Sequence, residues 1–246
     1  MQSPSHNILY KGSIQEIHAT RLVVRLNNGQ QDKSHFPDKD YAVEHGGSDS
    51  LTTGCLCSIY SLVTCDDLQR RQLLLGERSP RSDTSLQLSR SYHPDYDNVL
   101  LKARQALDFF LLIGPPGTGK TSMALRFLVE EELTAGGTLL LTAYTNRAVD
   151  EICEMLSATG IDYLRLGNES SCVPRFAGHL LERRLDQRPK LTDMQTLIHN
   201  IPVVVATTSM LLSRPFIFSL RSFSLCIADE ASQLLEPDIV GILTQD

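Results

Sequence analysis

The sequence predicts an α/β fold, in which a parallel β-sheet covered by helices follows a small β-rich module. After residue 98, five short apolar runs alternate with segments of helical character. This alternation is typical of a parallel sheet that is buried on both faces. Before residue 90, short apolar runs are separated by turn residues, as in β-rich modules. We therefore predict a β-rich module with a connector at residues 1–90 and an α/β domain at residues 91–246.

The N-terminal part has the texture of short strands. Ile14 and Ile17 are predicted to flank a turn, and the strand 21–26 leads into Asn27-Asn28-Gly29, a strong hairpin signal. Residues 51–75 fit either a helix or a strand. We interpret this part as a small barrel. Arginines among serines and prolines then predict an exposed connector at residues 76–94.

The α/β domain is predicted to begin with a helix and to continue as alternating strands and helices. The predicted strands are residues 109–113, 138–143, 163–166, 202–206 and 224–228, and the predicted helices include 98–107, 120–133 and 146–156. Ligands of such sheets lie at the carboxyl ends of the strands. We therefore expect the functional residues at those ends.

Composition indicates an ordinary soluble protein. The chain has 246 residues, of which 41% are hydrophobic and 21% charged, and its net charge is −6. It has neither the apolar core of a signal peptide nor a run long enough to span a membrane, so we predict a cytoplasmic protein without membrane contact. The six cysteines form no C-x-x-C pair. Cys55, Cys57 and Cys65 lack the spacing of a zinc site, and the His35 to His45 group is interpreted as a charged loop.

Residues 114–121 read GPPGTGKT and match the pattern G-x-x-x-x-G-K-[ST] behind the apolar run 109–113. Glycines let backbone N–H groups close around a polyphosphate, and the following helix N-terminus favours negative charge. Lys120 adds a mobile positive charge, and the Thr121 hydroxyl is suited to Mg²⁺. The sequence therefore predicts a site for ATP and Mg²⁺. Its predicted residues are Gly114, Pro115, Pro116, Gly117, Thr118, Gly119, Lys120, Thr121 and Ser122.

Asp229 and Glu230 follow the fifth apolar run, at the end where a carboxylate can reach the metal held by Thr121. Asp229 is predicted to bind Mg²⁺ through water. Glu230 is predicted to orient and deprotonate the attacking water, and with Lys120 it forms the predicted catalytic pair. The alternative is a pair of ordinary surface acids.

Two more motifs end strands: TAYTNRAVD at residues 142–150 and VVVATTS at residues 203–209. Together with GPPGTGKT and the DEASQ run after residue 228, the chain resembles the first half of a superfamily 1 helicase motor. It is most similar to the 5′-to-3′ branch, which includes the nonsense-mediated-decay helicase and the nuclease–helicase of Okazaki-fragment processing. The resemblance covers residues 98–246 and implies a RecA-like P-loop lobe with a β-barrel ahead of it.

The resemblance also implies a partner, single-stranded nucleic acid, with DNA favoured over RNA. Thr145, Asn146 and Arg147 match one segment that contacts the strand backbone, and Thr207 with Thr208 match a second. Hydroxyl and amide donors suit phosphate oxygens without reading the base sequence. As alternatives, Asn146 and Thr207 serve only as helix caps.

The chain departs from its relatives in two places. The relatives have an Asn-x-x-Gln element whose glutamine reads adenine, whereas here Asn98 is followed by Leu101 at that offset, and Gln105 is out of register. The chain also ends at Asp246, where relatives continue to a Gly-Asp-x-x-Gln motif and a second lobe. We therefore expect an incomplete motor whose second lobe is missing from this chain, and no nuclease activity.

Two other functions share part of the pattern. GPPGTGKT is also common in ring-forming, AAA+-type ATPases that remodel proteins, and a nucleotide-gated binding module would use the same loop. TAYTNRAVDE and the DEASQ run have no counterpart in the rings. The motifs together favour an ATP-dependent helicase or translocase.

Overall fold

A computed structural model describes residues 12–26, 49–115, 117–185 and 190–245. Three features of the sequence lie outside these residues: the Asn27-Asn28-Gly29 signal, the His35 to His45 group and Pro116. The chain forms two compact units, residues 1–47 and residues 48–246. The domain boundary near residue 90 stays a prediction. Within the described ranges, no helix has the length and apolar character needed to cross a membrane.

The first unit contains a small antiparallel sheet. Strands β1 (Gly12–Ile17) and β2 (Leu22–Leu26) pair side by side, with a shift of register between Ile14 and Glu16. The His18 N–H donates to the Arg21 carbonyl at 2.8 Å and closes the turn between them. Ile14 and Ile17 therefore lie within a strand, and the prediction that they flank a turn was wrong.

The second unit alternates helices and strands from the phosphate loop onward. Its helices are α1 (Asp49–Val63), α2 (Leu68–Leu74), α3 (Asp97–Gln105), α4 (Arg126–Thr134), α5 (Asn146–Ala158), α6 (Leu181–Arg184), α7 (Leu191–Asn200), α8 (Thr208–Ser213), α9 (Phe216–Leu220) and α10 (Glu236–Leu243). Its strands are β3 (Leu139–Ala143), β4 (Tyr163–Arg165), β5 (Val203–Thr207) and β6 (Leu225–Asp229). Short 3₁₀ turns lie at Glu169–Ser171, Pro174–His179 and Ala231–Gln233.

The four strands form one parallel sheet in the order β4-β5-β3-β6. Every residue of β3 and β5 is buried, because helices cover both faces of the sheet. Ala143 lies opposite both Thr207 and Asp229, so three strands end at the same level. The predicted RecA-like parallel sheet is confirmed. The predicted site residues that follow its strands lie together at its carboxyl edge.

The apolar run 109–113 was predicted to be the first of five strands, and this prediction was wrong. The run pairs with none of the strands in the described part of the chain. Leu111 is 71% exposed and Ile113 is 90% exposed. An apolar run becomes a strand only when its backbone pairs with a neighbour, and this run makes no such pairing within the described sheet. In the described sheet β6 has one neighbour, β3, and all five β6 residues are only half-buried.

Residues 49–74, which we placed in the β-rich module, are helical and belong to the second unit. Helix α1 packs against α8 and α10. Its Ser58 is buried, and the Ser58 hydroxyl oxygen accepts a hydrogen bond of 2.6 Å from the Gly241 N–H in α10. A Cβ added at Gly241 would lie 2.7 Å from Ser58 Cα. Glycine is what allows the two helices to approach this closely.

The connector after α2 is mostly exposed, as predicted, and hydrogen bonds tie it to the domain at several points. The Asp108 carboxylate accepts hydrogen bonds from Arg81 at 2.8 Å and from Arg78 at 3.1 Å. The Arg81 bond lowers the pKa of Asp108 far below its ordinary value of 3.8. Further along, the buried Glu131 of α4 accepts hydrogen bonds from Ser89 and Tyr92. Burial raises the pKa of Glu131, but these bonds outweigh burial and hold it below its ordinary value.

Candidate nucleotide-binding site

The loop 114–121 is built on left-handed glycines. Gly117 and Gly119 have φ angles of 78° and 71°, a region that residues with a Cβ rarely adopt. The Thr118 hydroxyl donates to the Pro115 carbonyl at 2.8 Å and closes the loop on itself. A Cβ at Gly114 would lie 2.8 Å from that hydroxyl oxygen. The glycines thus allow a tight turn, in which backbone N–H groups can face a phosphate group.

Lys120 lies across the mouth of this loop. Its ammonium group donates hydrogen bonds to the Gly114 carbonyl at 2.5 Å and to the Pro115 carbonyl at 2.9 Å. The positive charge is therefore held over the turn before any ligand arrives. A polyphosphate would accept the same donors with oxygens that carry a full charge, which makes stronger hydrogen bonds.

The helix after the loop begins as a π-helical turn at Lys120–Leu125 and continues as α4. The Ala124 N–H donates to the Gly119 carbonyl, five residues earlier, at 3.1 Å. Ala124 and Leu125 are both buried. Leu125 belongs to the core that also contains the β3 residues. The loop is thus anchored to the sheet directly behind it.

Thr121 and Asp229 meet at the carboxyl edge of the sheet. The Thr121 hydroxyl donates to Asp229 Oδ2 at 2.8 Å. A hydroxyl and a carboxylate oxygen are hard ligands, and a site of this kind suits Mg²⁺ when phosphates supply further oxygens. The residues present therefore fit the metal that the sequence predicts.

Glu230 has a strained backbone. Its φ of 52° is the only positive φ among the described residues other than glycine. The Glu230 N–H donates to Asp229 Oδ1 at 2.9 Å, and its carboxylate accepts from Gln233 Nε2 at 3.0 Å. Strain of this kind persists where the surroundings over-determine it, and it is concentrated at functional sites. The side chain is exposed, so it is available to a ligand. The contact from Gln233 was missed, because a lone glutamine after an Asp-Glu pair has no signature of its own.

The TNR segment begins helix α5. Thr145 is the N-cap, since its hydroxyl accepts from the Ala148 N–H at 3.1 Å. Asn146 is the first residue of the helix and is exposed. The helix is capped by Thr145 and not by Asn146, which we had considered as a cap. Arg147 is exposed and lies 3.4 Å from Glu151 in an ion pair one turn along. This helix start presents polar groups at the same edge as the phosphate loop.

Thr207 and Thr208 are buried. Thr207 is the N-cap of α8, because its hydroxyl accepts from the Met210 N–H at 3.2 Å. Thr208 is 1% exposed. Thr207 therefore acts as a helix cap, which is the alternative that the sequence left open. The Thr208 side chain offers no surface to a nucleic-acid strand in this structure.

A buried ion pair orients α5. Arg165, at the end of β4, is 1% exposed and bonds to Asp150 of the TAYTNRAVD motif. It also donates to the Ser171 carbonyl at 3.0 Å. Burial lowers the pKa of Arg165, but the bond to Asp150 and the electrostatic effects of its neighbours together outweigh burial and raise it. The pair couples helix α5 to the sheet.

An open cleft of about 630 Å³ begins beside Thr121 and Ser122 and runs between α4 and α5. Its lining includes three acids, Glu130, Glu151 and Glu154, and one base, Arg126. The excess of negative charge disfavours a polyphosphate there. The mouth of the loop is therefore the better candidate for a phosphate site.

Comparison with known proteins agrees with the motifs. Residues 93–202 match a family described as an AAA domain. The chain is 32% identical to the DNA replication ATP-dependent helicase/nuclease JHS1 of Arabidopsis thaliana over 192 residues, 70% of this chain and 13% of that protein. It is 35% identical to the human DNA replication ATP-dependent helicase/nuclease DNA2 over 147 residues, 59% of this chain and 14% of that protein. The Saccharomyces cerevisiae counterpart is 30% identical over 70% of this chain and 12% of its own length. The alignments thus span a small part of these relatives.

The parallel sheet, the phosphate loop joined to Asp229 and the relatives together support one family resemblance. The family model covers the loop and the TAYTNRAVD motif, and the alignment to the Arabidopsis relative is longer than that match. The resemblance that the motifs indicated is confirmed. The chain resembles the superfamily 1 helicases, and among them the DNA replication helicase/nucleases.

Proposed function

We propose that this chain is the ATP-binding first lobe of a motor that translocates on single-stranded nucleic acid, with DNA favoured over RNA. The observation that carries the proposal is the hydrogen bond between Thr121 and Asp229. It joins the phosphate loop to the carboxylate motif across 108 residues of chain. The preference for DNA rests on the relatives, whose names assign them to DNA replication.

In this proposal the reaction is hydrolysis of the bond between the β- and γ-phosphates of ATP. The loop N–H groups and Lys120 hold the phosphates, and Thr121 with Asp229 would hold Mg²⁺, which neutralises phosphate charge when bound. Glu230 accepts a proton from the attacking water, and Gln233 keeps the Glu230 carboxylate oriented. The strained Glu230 backbone supports this assignment, because it aims a charged side chain at the edge where the strands end.

The nucleic-acid contact is proposed at the start of α5. Thr145, Asn146 and Arg147 lie on the strand-end edge, and Asn146 and Arg147 are exposed. Backbone contacts of this kind grip phosphates without reading sequence. The burial of Thr208 leaves this segment as the stronger candidate. Thr207 and Thr208 are buried, so this proposal assigns them no direct contact with the nucleic acid.

We further propose that this chain alone turns over ATP slowly. Glu230 and much of the loop are exposed, so water screens the phosphate charge. In related motors, arginines of a second lobe stabilise the transition state, and such arginines raise turnover by about 10³ to 10⁵. Robust, strand-stimulated turnover by residues 1–246 would contradict this part of the proposal.

The test is steady-state phosphate release by the parent protein that carries the second lobe, with and without an oligonucleotide. We expect stimulation by single-stranded DNA, and none in a Lys120→Ala control. Stimulation by a folded protein client instead would favour a remodelling ring. A response to neither would favour a nucleotide-gated binding module.

A further inference from the structure

Four aromatic rings, here called the aromatic cluster, pack beside the phosphate loop. They are Tyr92, His93 and Tyr96 ahead of α3 and Phe127 in α4. The Tyr96 ring meets Phe127 edge-to-face with centroids 5.9 Å apart and meets His93 in the same way at 5.5 Å. Edge-to-face packing of this kind fixes the rings relative to one another. The four rings therefore form one packed aromatic surface.

Tyr96 joins this cluster to the phosphate loop. Its hydroxyl donates to the Thr118 carbonyl at 2.7 Å. A Cβ at Gly119 would lie 2.6 Å from that hydroxyl, so the left-handed glycine also makes room for the tyrosine. The cluster thus lies in contact with the residues that would hold phosphate. A nucleotide whose phosphates occupy the loop must place its sugar and base near by.

His93 is the ring with an open edge. Its side chain is 39% exposed. Nδ1 accepts a hydrogen bond of 3.2 Å from the Asp95 N–H, so the proton of the neutral ring lies on Nε2. The His93 N–H donates to Asp97 Oδ1 at 3.0 Å, which holds the backbone in place. His93 therefore offers an aromatic face and a free donor beside the phosphate loop.

Gln105, the nearest glutamine to the position where relatives read adenine, is already engaged. Its Nε2 donates to the Thr84 carbonyl at 3.2 Å and to the Leu86 carbonyl at 3.0 Å. These bonds hold the connector, and they leave the side-chain amide N–H groups committed. Recognition of a base by this chain therefore needs a different group.

We propose that His93 contacts the base of the bound nucleotide and supplies a stacking surface for a purine. The inference rests on the proposed nucleotide site and adds a specificity-determining residue to it. Tyr96 links the His93 ring to the loop, because it packs on His93 and bonds to Thr118. A purine is favoured over a pyrimidine because its larger face buries more area on the ring.

The test compares two ligands that share phosphates and differ in the base. Affinities of the 246-residue chain for ATP and for inorganic tripolyphosphate are measured with Mg²⁺ by calorimetry. In His93→Ala, we expect ATP to bind roughly tenfold more weakly, since loss of one base–aromatic stack has an effect of that size. Tripolyphosphate affinity should not change. His93→Phe should recover most of the ATP affinity, because the aromatic face is retained. His199→Ala, on the exposed side of α7, is the matched control.

Two results would overturn the inference. Equal weakening of ATP and tripolyphosphate would mean that His93 only shapes the loop, and an unchanged ATP affinity would mean that the base lies elsewhere. A further readout is the preference for ATP over CTP, which should shrink in His93→Ala. Failure of the nucleotide site itself is a separate outcome, because it would appear as unchanged tripolyphosphate affinity in Lys120→Ala.

Discussion

The Thr121 hydroxyl donates a hydrogen bond of 2.8 Å to Asp229, and this contact joins the two ends of the nucleotide site. Ala143 lies opposite Asp229 in the sheet, so the carboxylate is placed by the strand register. The loop and the carboxylate are therefore held by the same core. The affinity of a metal ion bound between them would therefore depend on both the loop and the carboxylate.

Replacing Asp229 by Asn should weaken the binding of Mg²⁺ that accompanies nucleotide binding. The amide keeps the shape but removes the negative charge that attracts the cation. Because Asp229 is predicted to act through water, we expect the Mg²⁺ concentration for half-maximal ATP binding to rise about 10-fold to 100-fold. Calorimetry over a Mg²⁺ series measures it, with exposed Asp66→Asn as control. An unchanged Mg²⁺ requirement would remove Asp229 from the metal site.

Replacing Lys120 by Ala should weaken nucleotide binding by roughly tenfold or more, the usual effect of losing a charged hydrogen bond. The loop would keep its backbone donors and lose its mobile cation. Calorimetry with ATP and Mg²⁺ decides it. Lys102→Ala, at an exposed position of α3, is the matched control. The same affinity in both variants would mean that phosphates bind elsewhere.

Replacing Glu230 by Gln should separate binding from chemistry in a protein that joins this lobe to a second one, as proposed above. The amide preserves the shape and the Gln233 contact but cannot accept a proton. Turnover should fall about 10² to 10⁴-fold while ATP affinity is kept. Single-turnover and binding measurements test it, with exposed Glu236→Gln as control. Hydrolysis at the parent rate would withdraw the base assignment.

Much of this site could be predicted from the sequence, because its residues follow apolar strands and carry a local motif. Three features could not. The run 109–113 is as apolar as the other strands, yet pairing depends on a neighbour that local sequence does not specify. Residues 51–75 alternate too weakly to separate helix from strand, and packing on α8 and α10 decides for helix. Tyr96 reaches Thr118 across 22 residues and carries no motif.

Replacing Gly241 by Ala should destabilise the second unit. The new Cβ would lie 2.7 Å from Ser58 Cα, and neither helix backbone can yield without moving its own contacts. Overpacking of this kind costs about 1–3 kcal/mol. Thermal or urea unfolding measures it. At Gly178 an added Cβ meets nothing within 4 Å, so Gly178→Ala is the control. Equal stability of the two variants would show that α1 does not pack on α10 in solution.

Replacing Asp108 by Asn should lower the free energy of unfolding at neutral pH by about 1–3 kcal/mol. In this variant the free energy of unfolding should also fall less as the pH is lowered. The hydrogen bond from Arg81 lowers the pKa of Asp108 in the folded chain below its ordinary value of 3.8. Its stabilising effect is therefore complete above that value and is lost as the pH falls toward the folded pKa. Unfolding at pH 7 and pH 3 should show a smaller difference at pH 3. Asp95→Asn, at an exposed position, is the control.

The contact between Ser58 and Gly241 bears on where an expressed fragment should begin. The matched family domain starts at residue 93, and a fragment cut there would omit α1. The buried Gly241 N–H would lose its acceptor, and the surfaces of α8 and α10 that α1 covers would meet water. Such a fragment would expose apolar surface and aggregate. The smallest autonomous folding segment of this lobe should therefore begin at residue 48, some 45 residues before its recognisable signature.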